Sequence, residues 1–237
     1  MMQDAAPHTA PCILDAASII LIDSSTPAPR FLMGLRQPDN VFLPNKWVFP
    51  GGRVEASDRA IVCRDRLAHH DEAALMHGLP DGTNPTWAAT IALAAIRELF
   101  EETGVALGLT AAGDDLLADV WPEFRALRLR PRLASLTTIA RAITPPGRPR
   151  RYDTRFFLAN RKHVGHEAGV GDGEFADLQW FTVAEARDLD LPVITRIILG
   201  DVEARLADPD GGTRAGVPFY YEQDGLFRRD LIRPDGG

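Results

Sequence analysis

The hydrophobic positions of the chain fall into two rhythms, one of strands and one of helices. Ala16 to Ile22 is almost continuously apolar and ends at Asp23-Ser24-Ser25-Thr26-Pro27, after which Phe31 to Arg36 resumes. The break predicts a strand, a turn and a second strand. Trp47-Val48-Phe49 is a further short strand that runs into Pro50-Gly51-Gly52. Between Trp87 and Thr103 the apolar residues instead recur at helical spacing, with Thr86 placed to cap the start and Gly104 to stop the end. Helices are also expected over Asp58 to His77, with Ser57 as cap and Gly78 as stop, and over Leu116 to Leu129, Val183 to Leu189 and Val193 to Leu206. Strands are expected over Leu136 to Ile143, Tyr152 to Ala159 and Glu174 to Phe181, with short ones near Phe219 and Phe227. His163 to Gly173, with four glycines, reads as a loop.

Composition narrows the picture. With 237 residues, 45% of them hydrophobic and 25% charged, the chain has the make-up of a soluble globular domain with additions. A net charge of −7 offers no broad attraction to nucleic acid or to an anionic bilayer. Two cysteines, Cys12 and Cys63, build neither a disulfide frame nor a zinc site, and they fit a reducing cytoplasm. No apolar run approaches the length of a membrane span. His69, His70 and His77 lack a cluster of other ligand types and read as helix-surface histidines.

The end of the long helix is where local energetics fail. Glu98, Glu101 and Glu102 stand at i, i+3 and i+4, on one face of the helix. Each pair repels by a few tenths of a kcal/mol, and each anion opposes the helix dipole by roughly 0.3 to 1 kcal/mol. A cation relieves both penalties. Carboxylate oxygens suit a hard divalent ion, Mg2+ or Mn2+, which keeps part of its water shell and holds phosphate as well.

Arg97-Glu98-Leu99-Phe100-Glu101-Glu102-Thr103-Gly104-Val105, taken with the upstream Phe49-Pro50-Gly51-Gly52, resembles the Nudix hydrolases. Their signature is Gly-x5-Glu-x7-Arg-Glu-U-x-Glu-Glu-x-Gly-U, with U aliphatic. The second half matches at every specified position. In the first half, Gly52 precedes Arg97 by 45 positions where the signature has fourteen, an excess of 31. The resemblance therefore implies an insertion over about residues 53–86. The specified glutamate would fall on Ala89, so its role is missing or has moved to Glu55 or Asp58. The insertion, with Ala142-Ile143-Thr144-Pro145 and Arg151 to Leu158, looks like the branch that includes peroxisomal coenzyme A diphosphatases and bacterial relatives. A histidine-containing coenzyme A segment is absent from residues 36–47, which leaves coenzyme A as one candidate among several.

The resemblance implies an α/β Nudix fold, a mixed β-sheet sandwiched between helices, with an inserted helical segment. It would occupy residues 15–208, after a loose N-terminus over 1–14 and before a C-terminal extension over 209–237. The reaction implied is metal-dependent hydrolysis of a diphosphate linkage in a nucleoside diphosphate derivative, coenzyme A-like, ADP-ribose-like or a dinucleotide. Glu98, Glu101 and Glu102, with backbone from Gly52, would hold the metal. Arg97 would anchor the acids, and Glu101 or Glu174 would serve as the base. Arg36, at a strand end, and Arg151 and Arg155, flanking a basic proline-rich loop, are the candidates for gripping phosphate. The expected partner is a small nucleotide-derived molecule, and the inserted helix would cover the pocket or form a homodimer surface. A catalytically silent ligand sensor and an oxidised-nucleotide triphosphate hydrolase stay open as alternatives.

Overall fold

The apolar run that opens the chain forms β1 (Ile13–Asp23), and it is buried from Ala16 to Ile22 because both of its faces are covered. In this computed structural model, residues 12–111, 121–168, 171–208 and 216–233 are described. β1 pairs antiparallel with β2 (Arg30–Arg36) and parallel with β8 (Arg151–Asn160), the latter over ten register pairs from Ile13↔Arg151 to Ile22↔Asn160. The two-residue β3 (Trp47–Val48) lies on β2, and β4 (Gly51–Arg53) on β1. β7 (Thr137–Ile143), β10 (Phe175–Thr182) and the hairpin of β11 (Val217–Gln223) and β12 (Leu226–Ile232) complete a mixed nine-stranded sheet, ordered β10-β2-β1-β8-β7-β11-β12.

Strand alternation divides the core. Ala17, Ile19 and Leu21 point to one face and pack with Ile91, Ala95 and Leu99 of helix α3 (Trp87–Thr103). Ile20 and Ile22 point to the other, with Phe31 and Met33, against Ile198, Leu199 and Val202 of helix α6 (Val193–Ala207). The short helix α5 (Val183–Arg187) precedes α6, and its Thr182 and Glu185 form a capping box. A separate three-stranded sheet, β6-β5-β9, joins Leu129–Pro131 (β6), Val105–Thr110 (β5) and Val164–Glu167 (β9) beside the end of α3.

The structure corrects several expectations. Asp58 to His77 is not one helix but two, α1 (Ala56–Ala60) and α2 (His69–Met76), separated by residues 61–68. The cap of α1 is Glu55, whose N–H donates to Asp58 Oδ2 at 2.8 Å, and not Ser57. Thr86 occupies the start of α3, yet its hydroxyl bonds Asn84 and leaves the helix amides alone. Gly104 does end α3, in the left-handed conformation at φ 70°. The segment after it is the strand β5, and part of the glycine-rich loop is β9, because each completes the small sheet. Of the helix expected over 116–129, residues 116–120 lie outside the described residues, and the described part is α4 (Pro122–Ala126) followed by β6.

Candidate active site

Three elements bring the charged residues together. α3 lies across β4 so closely that a Cβ on Gly52 would collide with the Glu98 carboxylate, which is why bare backbone is needed there. The Gly51 N–H donates to Glu102 Oε2 at 2.8 Å. Beyond β9, the Asp172 N–H donates to the Glu101 carbonyl at 2.7 Å, which ties the segment leading to Glu174 onto the last turn of α3. Glu174 Oε1 then meets Arg36 Nη2, at the end of β2, at 2.8 Å.

Arg97 organises the site from below. Its guanidinium, 6% exposed, donates from Nε to Asp58 Oδ1 at 2.8 Å, from Nη2 to the Arg53 carbonyl at 2.9 Å, and from Nη1 to Glu101 Oε2 at 2.7 Å; Nη1 is also 2.9 Å from Glu98 Oε1. Burial alone would depress its pKa, but the bond to Asp58 and the fields of Glu98, Asp58 and Glu101 more than offset this and raise it. Asp58 is fully buried. Counted forward from Gly52, the sixth position is Asp58, an acid one methylene shorter than the signature's glutamate and bonded to Arg97, so the excess over the signature's spacing falls between Asp58 and Arg97. Counting backward from the arginine gave Ala89 because it crossed the insertion.

The three motif glutamates are not equivalent. Glu98 is pushed up to about 7, chiefly by burial, partly offset by Arg97 and reinforced by Glu101 and Glu174. Glu102, 4% exposed, is raised well above the carboxylate range by burial and then by Glu98 and Glu174, against which the Gly51 N–H and Arg36 work. Glu101 is also raised, by burial first, but its neighbours are Arg97, Glu55 and Asp58, and its side chain is 46% exposed. Glu98 thus stands between the two others: Glu102 and Glu174 act with it beside the glycine turn, and Glu101 shares Arg97 Nη1 with it on the other side. Among the described residues, no group of three or more such side chains is drawn up to metal-binding distance. The donor set nevertheless fits a hard cation: carboxylate oxygens raised by one another's charge are those that a divalent ion would return to the ionised form.

Two expected phosphate contacts part company. Arg155 is 1% exposed and does not reach the acids: its Nη1 donates to Asp15 Oδ1 at 2.8 Å, its Nη2 lies 3.2 Å from Asp153 Oδ2, and its guanidinium stacks over Trp87. As a substrate contact it is corrected to a structural ion pair, because its strand position faces α3. Arg151, bonded through Nε to the Thr144 carbonyl, instead lines a hollow of about 510 Å³ with Cys12, Leu14, Arg53, Pro149, Arg150 and Tyr152. Register places Leu14 opposite Tyr152 and Ala16 opposite Arg53, on the sheet face away from α3, while Arg151, opposite Ile13, lines the hollow from the very start of β8. β4 therefore serves both sides, with Gly52 against the acids and Arg53 in the hollow. Phe42 packs edge-on to Tyr152 at 5.4 Å, and its carbonyl accepts from Arg36 Nε at 2.8 Å, which joins the hollow to Arg36 and Glu174. Sequence reasoning missed Arg53, Phe42 and Tyr152; only the proximity of Arg53 to Gly52 hinted at them.

A model of the NUDIX domain matches residues 13–199. The chain belongs to the Nudix family. A Nudix hydrolase from Alicyclobacillus acidocaldarius is 24% identical and superposes over 83% of this chain and 96% of that one with a TM-score of 0.56, a likeness of fold. The protein named nudix hydrolase 7 of Caenorhabditis elegans is 31% identical over 155 residues, 60% of this chain and 43% of that protein. The match thus spans less than half the length of that relative. The Nudix domain of Shewanella oneidensis NrtR, solved with ADP ribose, is 11% identical over 87% of this chain and 99% of that one, at a TM-score of 0.48. Nudix hydrolases generally use divalent metals. No described helix is long and apolar enough to cross a membrane.

Proposed function

We propose that this Nudix protein hydrolyses a diphosphate linkage in a nucleoside diphosphate derivative, with a divalent ion held by Glu98 and Glu102. The observation that carries the reading is the packing of the Glu98 and Glu102 carboxylates against the Gly51-Gly52 turn, one residue from a basic hollow, with Glu174 held nearby on Arg36. When bound, Mg2+ or Mn2+ would neutralise the phosphates and polarise the attacked phosphorus. Water attacks that phosphorus, the bridging P–O bond breaks, and two phosphorylated products form. Glu174 accepts the proton of the water. Glu101, tied to Arg97 on the side of Asp58, is the lesser candidate for that role. Arg97 touches no substrate and is a positioning residue. Arg151, and Arg53 beyond its ion pair with Glu55 at 3.1 Å, offer guanidinium donors to an anionic group in the hollow, and the Tyr152 and Phe42 rings flank its organic part.

The insertion between Asp58 and Arg97 supports placing the chain in the branch of the coenzyme A diphosphatases. That leaves coenzyme A-like, ADP-ribose-like and dinucleotide substrates to be ranked. The deciding experiment is a substrate panel with Mg2+ or Mn2+ and mass detection of both products. Turnover of one class, lost in Glu102→Gln, is expected. Saturable binding without turnover on every member would favour a ligand sensor instead.

A further inference from the structure

β12 is the outermost strand of the main sheet among the described residues, and it leaves Leu226 and Phe227 at 55% and 57% exposure. An open edge seven residues long, with exposed apolar side chains, is a template for another strand. Its hydrogen-bonding parity follows from the hairpin. β11 and β12 are joined by the two residues Asp224 and Gly225, both at positive φ, and Gln223 faces Leu226 across the turn. A two-residue turn of this kind closes on a pair that exchanges both backbone hydrogen bonds, and such pairs then alternate along the ladder. Leu226, Arg228, Asp230 and Ile232 therefore turn their N–H and C=O groups toward β11. Phe227, Arg229 and Leu231 turn theirs outward.

We propose that β12 pairs antiparallel with β12 of a second copy of this chain, about a twofold axis through Arg229, to give one continuous sheet. In that register Phe227 faces Leu231 of the other copy and Arg229 faces Arg229, so every outward N–H and C=O of these three residues finds a partner. Arg228 faces Asp230 at both non-hydrogen-bonded positions, where side chains approach most closely. Shifting the axis by one residue sets Arg228 against itself, or Asp230 against itself. Charge thus selects the register. The Arg229 pair on the opposite face is tolerable because each Arg229 Nε donates to Tyr220 Oη of its own chain at 3.1 Å, and Tyr220 in turn donates to Asp201 at 2.7 Å. Phe227 stacks on Tyr220 at 5.9 Å, which holds the strand's apolar side chain in place.

Sedimentation equilibrium of the full chain is expected to give a mass twice the 26.0 kDa of one copy. Arg228→Asp and Asp230→Arg, each setting like charges opposite one another, should weaken the dimer by about tenfold or more. The double variant, with the pair exchanged, should restore it. Thermal melting checks that each variant folds. In the wild type, the amides of Phe227, Arg229 and Leu231 should exchange more slowly as protein concentration rises. A wild-type mass of one copy overturns the proposal. So does a dimer indifferent to both single variants, or a folded double variant that stays monomeric while the singles do.

Discussion

Two clusters of buried charge lie on the α3 side of this sheet, and they differ in one respect. Around Arg155, two guanidiniums, of Arg155 and Arg141, face two carboxylates, of Asp15 and Asp153, at 2.6 to 3.2 Å. Arg141 is further held by the His77 carbonyl and lies over Phe219. That cluster is neutral, though Arg155 Nε and Nη2 make no hydrogen bond. Around Glu98, the cations of Arg97 and Arg36 face Glu98, Glu101, Glu102, Glu174 and Asp58, a surplus of negative charge that the chain itself does not balance. Burying ions costs free energy in both places. Only the second has more carboxylates than cations, and such an excess marks where a ligand of opposite sign belongs.

The sharpest way to break the comparison is by substitution in each cluster. Glu102→Gln should lower kcat by about a thousandfold, the scale on which electrostatic stabilisers of a transition state act, while the metal-free protein melts higher because one buried acid is gone. Steady-state kinetics and melting read the two effects. Arg155→Ala should do the reverse. With Asp15 left unpaired and Asp153 left to Arg141 alone, the loss should cost about 3 kcal/mol of stability, measured by urea unfolding, with kcat per folded molecule nearly unchanged.

A pH titration distinguishes the clusters next. Glu98 is pushed up to about 7 in the folded protein by burial, above its ordinary value of 4.5. A raised carboxyl contributes full stability below its unfolded pKa and loses it as pH rises through the folded one. Metal-free protein should therefore lose about 3 kcal/mol between pH 4.5 and 7 from Glu98 alone, with Glu102 acting in the same direction. Mg2+ should raise the melting temperature above pH 7 and do nothing near pH 4.5. Equal stabilisation at both values would contradict the assignment of the cation to these acids. The smallest effect belongs to Arg151→Ala, which should raise KM a few-fold and spare kcat, as loss of one half-buried phosphate contact would.

Much of this was legible in the residues. The long helix, its glycine stop, the acids at i, i+3 and i+4, and the apolar β1 declare themselves because each obeys a local rule of spacing or φ. Arg155 misled because an arginine at a strand end beside a basic loop looks solvent-facing until its partner strand is known; parallel pairing with β1 turns it inward. The single expected helix over Asp58 to His77 failed for a like reason. Residues 61–68 bury Ile61 and Leu67 without continuing the helix, a tertiary gain that periodicity does not register. The hollow was least legible. Leu14, Arg53 and Tyr152 come from three separate strands, and only the sheet register gathers them.

The clasp between Asp58 and Arg97 carries one more implication. It holds the two halves of the signature together at 2.8 Å, whatever lies between them, so residues 59–86 begin and end at a fixed point. Entropy penalises lengthening such a closed excursion only logarithmically. The segment is therefore held less by its length than by its anchors, the buried Leu67 and Leu75 and the Asp71 carboxylate that accepts from the Thr138 N–H at 2.6 Å, and changes of length that spare these should leave the clasp intact.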